Sequence, residues 1–340
     1  MLVSDYNYNL PEENIAKHPP KVRGTTRLLV LDRNTGNITD SRYADLADFL
    51  ESGDLIILND TRVMRARVFA ELPGGYKREL VVLEKHKDDL NSVMYHGKLR
   101  AGDVLTVLTT RDGEKTIDTV TIREILGNGT ATVSSSRPLA DIVEQYGTVP
   151  LPPYLRRDAD PDDIKRYQTV WAKELGSAAA PTASLNMTEE LINKLKTKGV
   201  NIEYLTLHVG LGTFLPIRSD KVEEHHMHSE WFHIPEQTIK AIEKTKKANH
   251  KVIAVGTTVT RTLEFWAKSG KTEGEDDIFI YPGFKFQVVD ALLTNFHAPK
   301  STVLMLASAF AGWDRLKPAY DHAVESGYQL LSYGDSMLIR

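Results

Sequence analysis

Residues 252–258 read VIAVGTT: four apolar residues, a glycine, then two threonines. An apolar run of that length, closed by glycine and followed by hydroxyls, reads as a buried strand that turns directly into a helix. The alternation continues on both sides. Upstream, residues 188–198 carry a helical pattern with Thr188 as N-cap, Glu189 and Glu190 in the first turn and Gly199 after the end. Residues 202–209 then read as a strand, and Pro235 opens a helix that runs to about residue 249. Downstream come a helix from about residue 260, helices over 301–310 and 316–325, and a short strand over 336–339. Strand–helix alternation of this kind predicts an α/β sheet. At the front, residues 10–20 read as a short helix stopped by Pro19 and Pro20, 27–31 (RLLVL) as a strand and 44–50 as a helix. Residues 54–58 (DLIIL) read as a buried strand delivering 59–62 (NDTR) into a loop.

Residues 63–146 have another texture. Short alternating segments recur between turns such as Pro73-Gly74-Gly75, Arg111-Asp112-Gly113 and Gly127-Asn128-Gly129. That spacing predicts a small antiparallel β-barrel, closed by a helix over 138–146. The expected architecture is therefore α/β (multidomain α+β). Residues 1–62 and 147–340 form a discontinuous main α/β domain, and 63–146 form the inserted barrel.

Composition narrows the function classes. With 340 residues, 41% hydrophobic and 26% charged, the chain is an ordinary globular protein and too long for a single core. Zero cysteines exclude a disulfide framework, a thiolate metal site and a cysteine nucleophile. The net charge of −4 argues against a globally basic nucleic-acid binder but leaves a local basic face open. Residues 1–10 lack the basic and apolar regions of a signal peptide, and the longest apolar stretch, 303–311, is about half a membrane span. The expectation is a cytoplasmic protein.

Several clusters can carry chemistry. Gly256, Thr257 and Thr258 at a helix start can hold an anion, although the G-x-G-x-x-G spacing of a dinucleotide fold is missing. His208, Gly210, Gly212 and Thr213 end a strand where glycine lets a ligand approach the backbone; a bent strand end with a core histidine is the plainer reading. His226, His228 and Glu230 would share one face of a strand and could hold zinc, but consecutive histidines equally suit a solvated surface, and no metal is expected. Thr294, Asn295 and His297 precede the cap residue Ser301, which suits a polar-ligand pocket or a capping loop. Tyr333 and Asp335 add a carboxylate on a tight turn. Arg62, Arg65 and Arg67 lie in one six-residue window, and alternate arginines on a strand would point one way along a phosphate backbone; a solvated face is the alternative. Arg156 and Arg157 flank Tyr154.

Taken together, the segments LPEENIAKHP (10–19), GDLIILNDTRVMRAR (53–67), TVPLPPYLRR (148–157), TLHVGLGTFLPI (206–217), IAVGTTVTRTLE (253–264), LLTNFHAPKS (292–301) and SYGDSMLI (332–339) resemble the S-adenosylmethionine:tRNA ribosyltransferase-isomerase family of queuosine biosynthesis. They run in the family's order over nearly the whole chain. The resemblance implies an α/β fold with an inserted β-barrel. It also implies transfer and isomerisation of the ribosyl part of S-adenosylmethionine onto 7-aminomethyl-7-deazaguanine at the tRNA wobble position, giving epoxyqueuosine-tRNA, adenine and methionine. No metal or redox cofactor is implied; S-adenosylmethionine is a cosubstrate, and no membrane or obligate protein partner is expected.

On that resemblance the proton movements fall to His208, His228, His297 and Asp60. Asn59, Thr61, Arg62, Thr182, Gly210, Gly212, Thr213, Glu230, Thr257, Arg261, Tyr281, Thr294, Asn295, Tyr333 and Asp335 would bind the substrate. Arg65, Arg67, Arg156 and Arg157 would meet tRNA. Two stretches depart from the family pattern. Residues 181–187 read PTASLNM where PTAGLHF is usual, so Asn186 cannot titrate and Ser184 replaces a glycine. Residues 328–337 read YQLLSYGDSM where YRFFSYGDAM is usual, so Gln329 removes a positive charge. A divergent member that binds tRNA or S-adenosylmethionine without this catalysis, or one acting on another nucleoside, is the alternative.

Overall fold

In the computed structural model, which describes residues 1–85, 91–127, 129–210, 217 and 219–340, strand β1 (Arg27–Leu31) turns through an Asp32 bend into β2 (Ile38–Arg42). Asp32 Oδ1 accepts from the Asn34 and Thr35 N–H groups, and Gly36 takes φ +80° to complete the turn. A 3₁₀ segment, Tyr43–Phe49, leads to β3 (Leu55–Asn59), all five residues of which are buried. β4 (Thr61–Val63) follows after one residue and pairs in parallel with β11 (Glu174–Ser177).

Between those two strands lies the barrel. It comprises β5 (Arg67–Glu71), β6 (Lys77–Lys85), β7 (Asn91–Tyr95), β8 (Val104–Leu108), β9 (Lys115–Gly127) and β10 (Thr130–Ser135). All neighbours are antiparallel, and the sheet closes in the order β10-β7-β6-β5-β8-β9. Alternate residues such as Val68, Ala70, Leu105, Val107, Val120 and Ile122 fill the interior, the pattern that closure requires. Helix α1 (Leu139–Tyr146) packs Leu139, Ile142 and Val143 against the same core. A connecting stretch with α2 (Pro161–Arg166), capped by Asp160, returns to β11.

The remaining elements are α3 (Glu189–Thr197), β12 (Asn201–Leu207), β13 (Glu230–His233), α4 (Glu236–Lys247), β14 (Val252–Val255), α5 (Thr257–Ser269), β15 (Glu273–Asp276), β16 (Ala291–Asn295), α6 (Thr302–Ala311), α7 (Trp313–Glu325) and β17 (Ser336–Ile339). They complete a nine-stranded sheet in the order β15-β13-β12-β3-β14-β16-β17-β1-β2. β12, β3, β14 and β16 run parallel at its centre. Strand alternation divides the core in two: Leu55, Ile57, Val252 and Ala254 face α5, α6 and α7, while Ile56, Leu58, Ile253 and Val255 face α3. Apolar residues on both faces are what a covered parallel sheet demands.

The expected α/β architecture with a barrel is thus the one observed. Local readings differ in several places, the 3₁₀ segment where 44–50 read as a helix among them. Residues 10–20 form only a 3₁₀ turn, Glu12–Asn14, because prolines at 11, 19 and 20 leave no room for a helix. Thr61 continues as β4 instead of entering a loop. Helix α5 begins at Thr257, since Gly256 at φ +99° turns the chain at once. Helix α7 begins at Trp313 and carries Pro318 inside it.

Candidate active site

The four central parallel strands end on one edge of the sheet, where ligands of open α/β folds bind. After β3 come Asn59, Asp60 and Thr61. Asn59 is buried and spent on structure: its amide donates to Leu207 O (2.9 Å), and its Oδ1 accepts from Thr61 N and Leu207 N. Asp60 accepts from the Thr206 hydroxyl at 2.7 Å, and burial pushes its carboxyl above the usual carboxylate range.

After β12, His208 Nδ1 lies 2.8 Å from Thr61 Oγ1, and its ring stacks on Trp231 with centroids 5.0 Å apart. Burial lowers its pKa, so it is a neutral imidazole. A side chain at Gly176 would strike the His208 ring, so that glycine is required by packing. Gly210 N donates to Glu230 at 2.7 Å. Gly212 and Thr213 lie outside the described residues.

After β14 and β16 a cavity of about 160 Å³ opens, bordered by Thr182, Thr257, Thr294, Asn295 and His297 together with Tyr154, Ser332 and apolar walls. These five predicted residues come from three separate stretches of sequence and are brought together here. His297 Nε2 lies 2.9 Å from Thr294 Oγ1. Burial pushes the His297 imidazole down to about 3, so the ring is neutral at ordinary pH. Its backbone is clamped from both sides: Tyr8 OH donates to His297 O (2.7 Å), and His297 N donates to Tyr320 OH (2.9 Å). Sequence reading did not find these tyrosines, which look like core aromatics. Two non-glycine residues on the cavity margin, Lys300 and Leu331, hold positive φ, a strain typical of functional sites.

A smaller cavity shares Thr257, Thr258 and Val303 and reaches Arg261. Arg261 is buried and bonds Glu230 at 2.6 Å and Asp276 at 3.3 Å. Burial alone would lower its pKa, but the two carboxylates hold it above the ordinary value. Burial likewise opposes ionisation of Glu230, yet Arg261, His228 at 3.2 Å and the Gly210 N–H keep it below the usual range. The guanidinium is therefore occupied within the protein. Asp276 was not foreseen. The zinc face is not formed: β13 starts at Glu230, so the histidines precede the strand, and His226 is exposed. Among the described residues no group of three or more His, Cys, Asp or Glu is placed to hold a metal ion.

The other predicted residues lie apart. Tyr281 packs on Phe279. Asp335 accepts from Arg27 N and Gln329 N and pins the turn before β17. Tyr333 donates to Asp163 at 2.6 Å, and Arg157 grips the same carboxylate with two bonds. Arg67 pairs with Glu79 at 2.9 Å and is largely buried. The three arginines of the 62–67 window do not share a strand: Arg62 is on β4, Arg67 on β5, and Arg65 lies between. Arg62 and Arg65 border a cleft of about 540 Å³ beside the barrel and α1. Arg156 is exposed at φ +51°.

The departures from the family pattern are taken up unequally. Ser184 sits in a 3₁₀ turn without positive φ, but its buried hydroxyl has no hydrogen-bond partner among the described residues. Asn186 is buried and donates to Gly334 O at 3.1 Å. Gln329 keeps its backbone bond to Asp335, and its side chain reaches Glu13 O at 3.4 Å.

Comparison with known proteins follows the same lines. A family profile described as "Queuosine biosynthesis protein" matches residues 3–339. S-adenosylmethionine:tRNA ribosyltransferase-isomerases are 54% identical in Chlorobium phaeobacteroides and 42% identical in Francisella tularensis subsp. novicida, in both cases over 100% of each chain. The crystal structure of S-adenosylmethionine tRNA ribosyltransferase from Thermotoga maritima superposes with a TM-score of 0.57 at 31% identity, covering 99% of this chain and 100% of that one. With sheet, barrel and full-length sequence in agreement, the chain belongs to the queuosine biosynthesis protein family.

Proposed function

We propose that this protein is an S-adenosylmethionine:tRNA ribosyltransferase-isomerase, a transferase that rearranges the group it transfers. Its cosubstrate is S-adenosylmethionine. Its acceptor is the aminomethyl nitrogen of 7-aminomethyl-7-deazaguanine at the wobble position of tRNA, and the products are epoxyqueuosine-tRNA, adenine and methionine. The observation that carries the reading is a neutral imidazole, His297, held by Thr294 and two tyrosines on a cavity at the carboxyl edge of the sheet. This is the kind of group the reaction needs.

The sulfonium acidifies the C5′ hydrogens, so a positioned base can form an ylide that expels the ring oxygen from C4′ to give a vinyl sulfonium, and the C1′ oxyanion left behind collapses to an aldehyde as protonated adenine departs. The tRNA amine then adds to C4′ of the vinyl sulfonium, the regenerated ylide carbon closes on the C1′ aldehyde, and the resulting alkoxide displaces methionine to form the epoxide. In the tautomer protonated at Nε2, which donates to Thr294 Oγ1, His297 offers the Nδ1 lone pair as the acceptor of the C5′ proton. Asp60 and His208 stand one and two strands beyond β14 along the same edge, where they stabilise charge on the ribosyl part. The exposed Arg62 and Arg156 and the half-buried Arg65 are the contacts for tRNA phosphates, whereas Arg67 and Arg157 act by supporting the fold. We take residues 63–146 as a domain inserted between 1–62 and 147–340, and the enzyme as a cytoplasmic monomer with no resident cofactor. Among the described residues no helix is long and apolar enough to cross a membrane.

The test is a single-turnover reaction of the purified chain with S-adenosylmethionine and tRNA carrying the aminomethyl-deazaguanine. Equal release of adenine and methionine, with epoxyqueuosine in the digested tRNA, is the expected result. Tight tRNA binding with no adenine released would overturn it in favour of a binding protein.

A further inference from the structure

Asn295 ends β16 on the cavity wall with only 3% of its surface exposed, and its Oδ1 has no hydrogen-bond partner. A buried amide oxygen left unpaired costs free energy unless a ligand or water completes it. Its orientation is set by the protein: Nδ2 donates to Asp335 O at 3.4 Å, so Oδ1 must be the end turned away. That bond uses one of the two Nδ2 protons. What remains is an acceptor and a donor side by side on a rigid planar group.

Such a pair matches one nucleobase edge. Asn presents this arrangement to the exocyclic amine and adjacent ring nitrogen of adenine. A guanine-type Watson–Crick edge instead offers two neighbouring donors, which a carboxylate would match, and among the described residues no carboxylate borders the cavity. Size agrees as well. A cavity of roughly 150 Å³ holds one benzene-sized ring, and this one, at about 160 Å³, has room for a flat heterocycle. Its walls are largely apolar, from Ala180, Pro181, Val209, Phe296 and Val303, as a stacked ring requires.

We propose that this cavity is the adenine subsite of the cosubstrate and that Asn295 selects the base, Oδ1 accepting from the 6-amino group and the second Nδ2 proton going to the neighbouring ring nitrogen. The inference rests on the function proposed above for the identity of the cosubstrate. Its test is separable because it reads binding and not turnover. The affinity of the full chain for S-adenosylmethionine and for its 6-oxo analogue, S-inosylmethionine, is measured by calorimetry. The analogue sets a carbonyl oxygen against Oδ1, so the natural compound should bind about 5- to 150-fold more tightly. Asn295→Ala should bring that ratio close to one, a change that a merely structural role would not produce. Equal affinity of the unsubstituted protein for both compounds, or no binding of either, overturns the assignment without reference to any variant. A preference that survives in a folded Asn295→Ala protein also overturns it, as does Asn295-dependent binding of 7-aminomethyl-7-deazaguanine in place of the adenine compound. Failure of the tRNA reaction with the 6-amino preference intact would sink the proposed function and leave this subsite standing.

Discussion

Two concavities of the molecule treat charge in opposite ways. On the carboxyl edge of the sheet, most polar groups are already committed to neighbours, Thr294 to His297, Tyr154 to Ser332, and Arg261 to Glu230 and Asp276, while Asn295 Oδ1 is left open. Beside the barrel, the larger cleft has Arg62 exposed and Arg65 held, among the described residues, only by Glu144 O at 3.3 Å. Groups of the first kind are rigid and can position a reacting atom. Groups of the second kind keep their charge available for a polyanion. An arginine's role here is thus decided by its partners and not by its place in a basic window.

Breaking the inner network should have the largest effect. Arg261→Met leaves Glu230 and Asp276 buried without a counter-charge, and it should lower unfolding free energy by about 3–5 kcal/mol in a urea titration. A loss below 1 kcal/mol would show that the carboxylates are not held as ions. Next in size is His297→Ala, expected to reduce single-turnover adenine release by about 100-fold or more while tRNA affinity stays within twofold. Wild-type turnover in that variant would remove His297 from the mechanism.

Acid should sharpen the same contrast. The folded His297 pKa lies near 3 and the unfolded one near 6.5, so between those values the unfolded chain binds the extra proton. Stability contributed by the neutral ring is complete above pH 6.5 and falls as pH drops towards 3, by at most about 1.4 kcal/mol per pH unit. A His297→Gln protein should show a shallower acid slope in thermal melts. The smallest effects belong to the outer cleft. Arg62→Ala and Arg65→Ala should each reduce the slope of log affinity for tRNA against log salt by roughly 0.7–0.9 and leave stability unchanged. Arg67→Ala should do the reverse, since its charge is spent on Glu79. A salt slope that responds to Arg67 but not to Arg62 would invert the comparison.

Much of the fold was legible because its signals are local. The apolar runs at 27–31, 252–255 and 336–339 became β1, β14 and β17 with little change, and the turn glycines of the barrel marked its hairpins. Prolines misled where two readings compete, as at residues 10–20. The site was legible only in part. Thr294, Asn295 and His297 stand together before a helix cap and declare themselves, but Tyr8 meets His297 across 289 positions and no periodicity reports that contact. Likewise, a sequence displays the charge of Arg67 and Arg157 but not the carboxylates that absorb it.

The position of β17 has a consequence for how the protein is made. This strand lies between β16 and β1, and among the described residues it alone joins the β1–β2 hairpin to the parallel strands in the sheet. Residues 27–31 therefore wait for residues 336–339, about 309 positions later, before their exposed edge is covered. At synthesis rates of roughly 5–20 residues per second, that interval is on the order of 15–60 s. Throughout it the nascent chain displays an apolar strand edge that chaperones can bind. Asp335, which ties the same turn to Arg27, makes the closing event also the one that completes the cavity wall at Leu331 and Ser332. A ribosome that stops short of residue 336 should thus release a chain with a folded barrel and no working site.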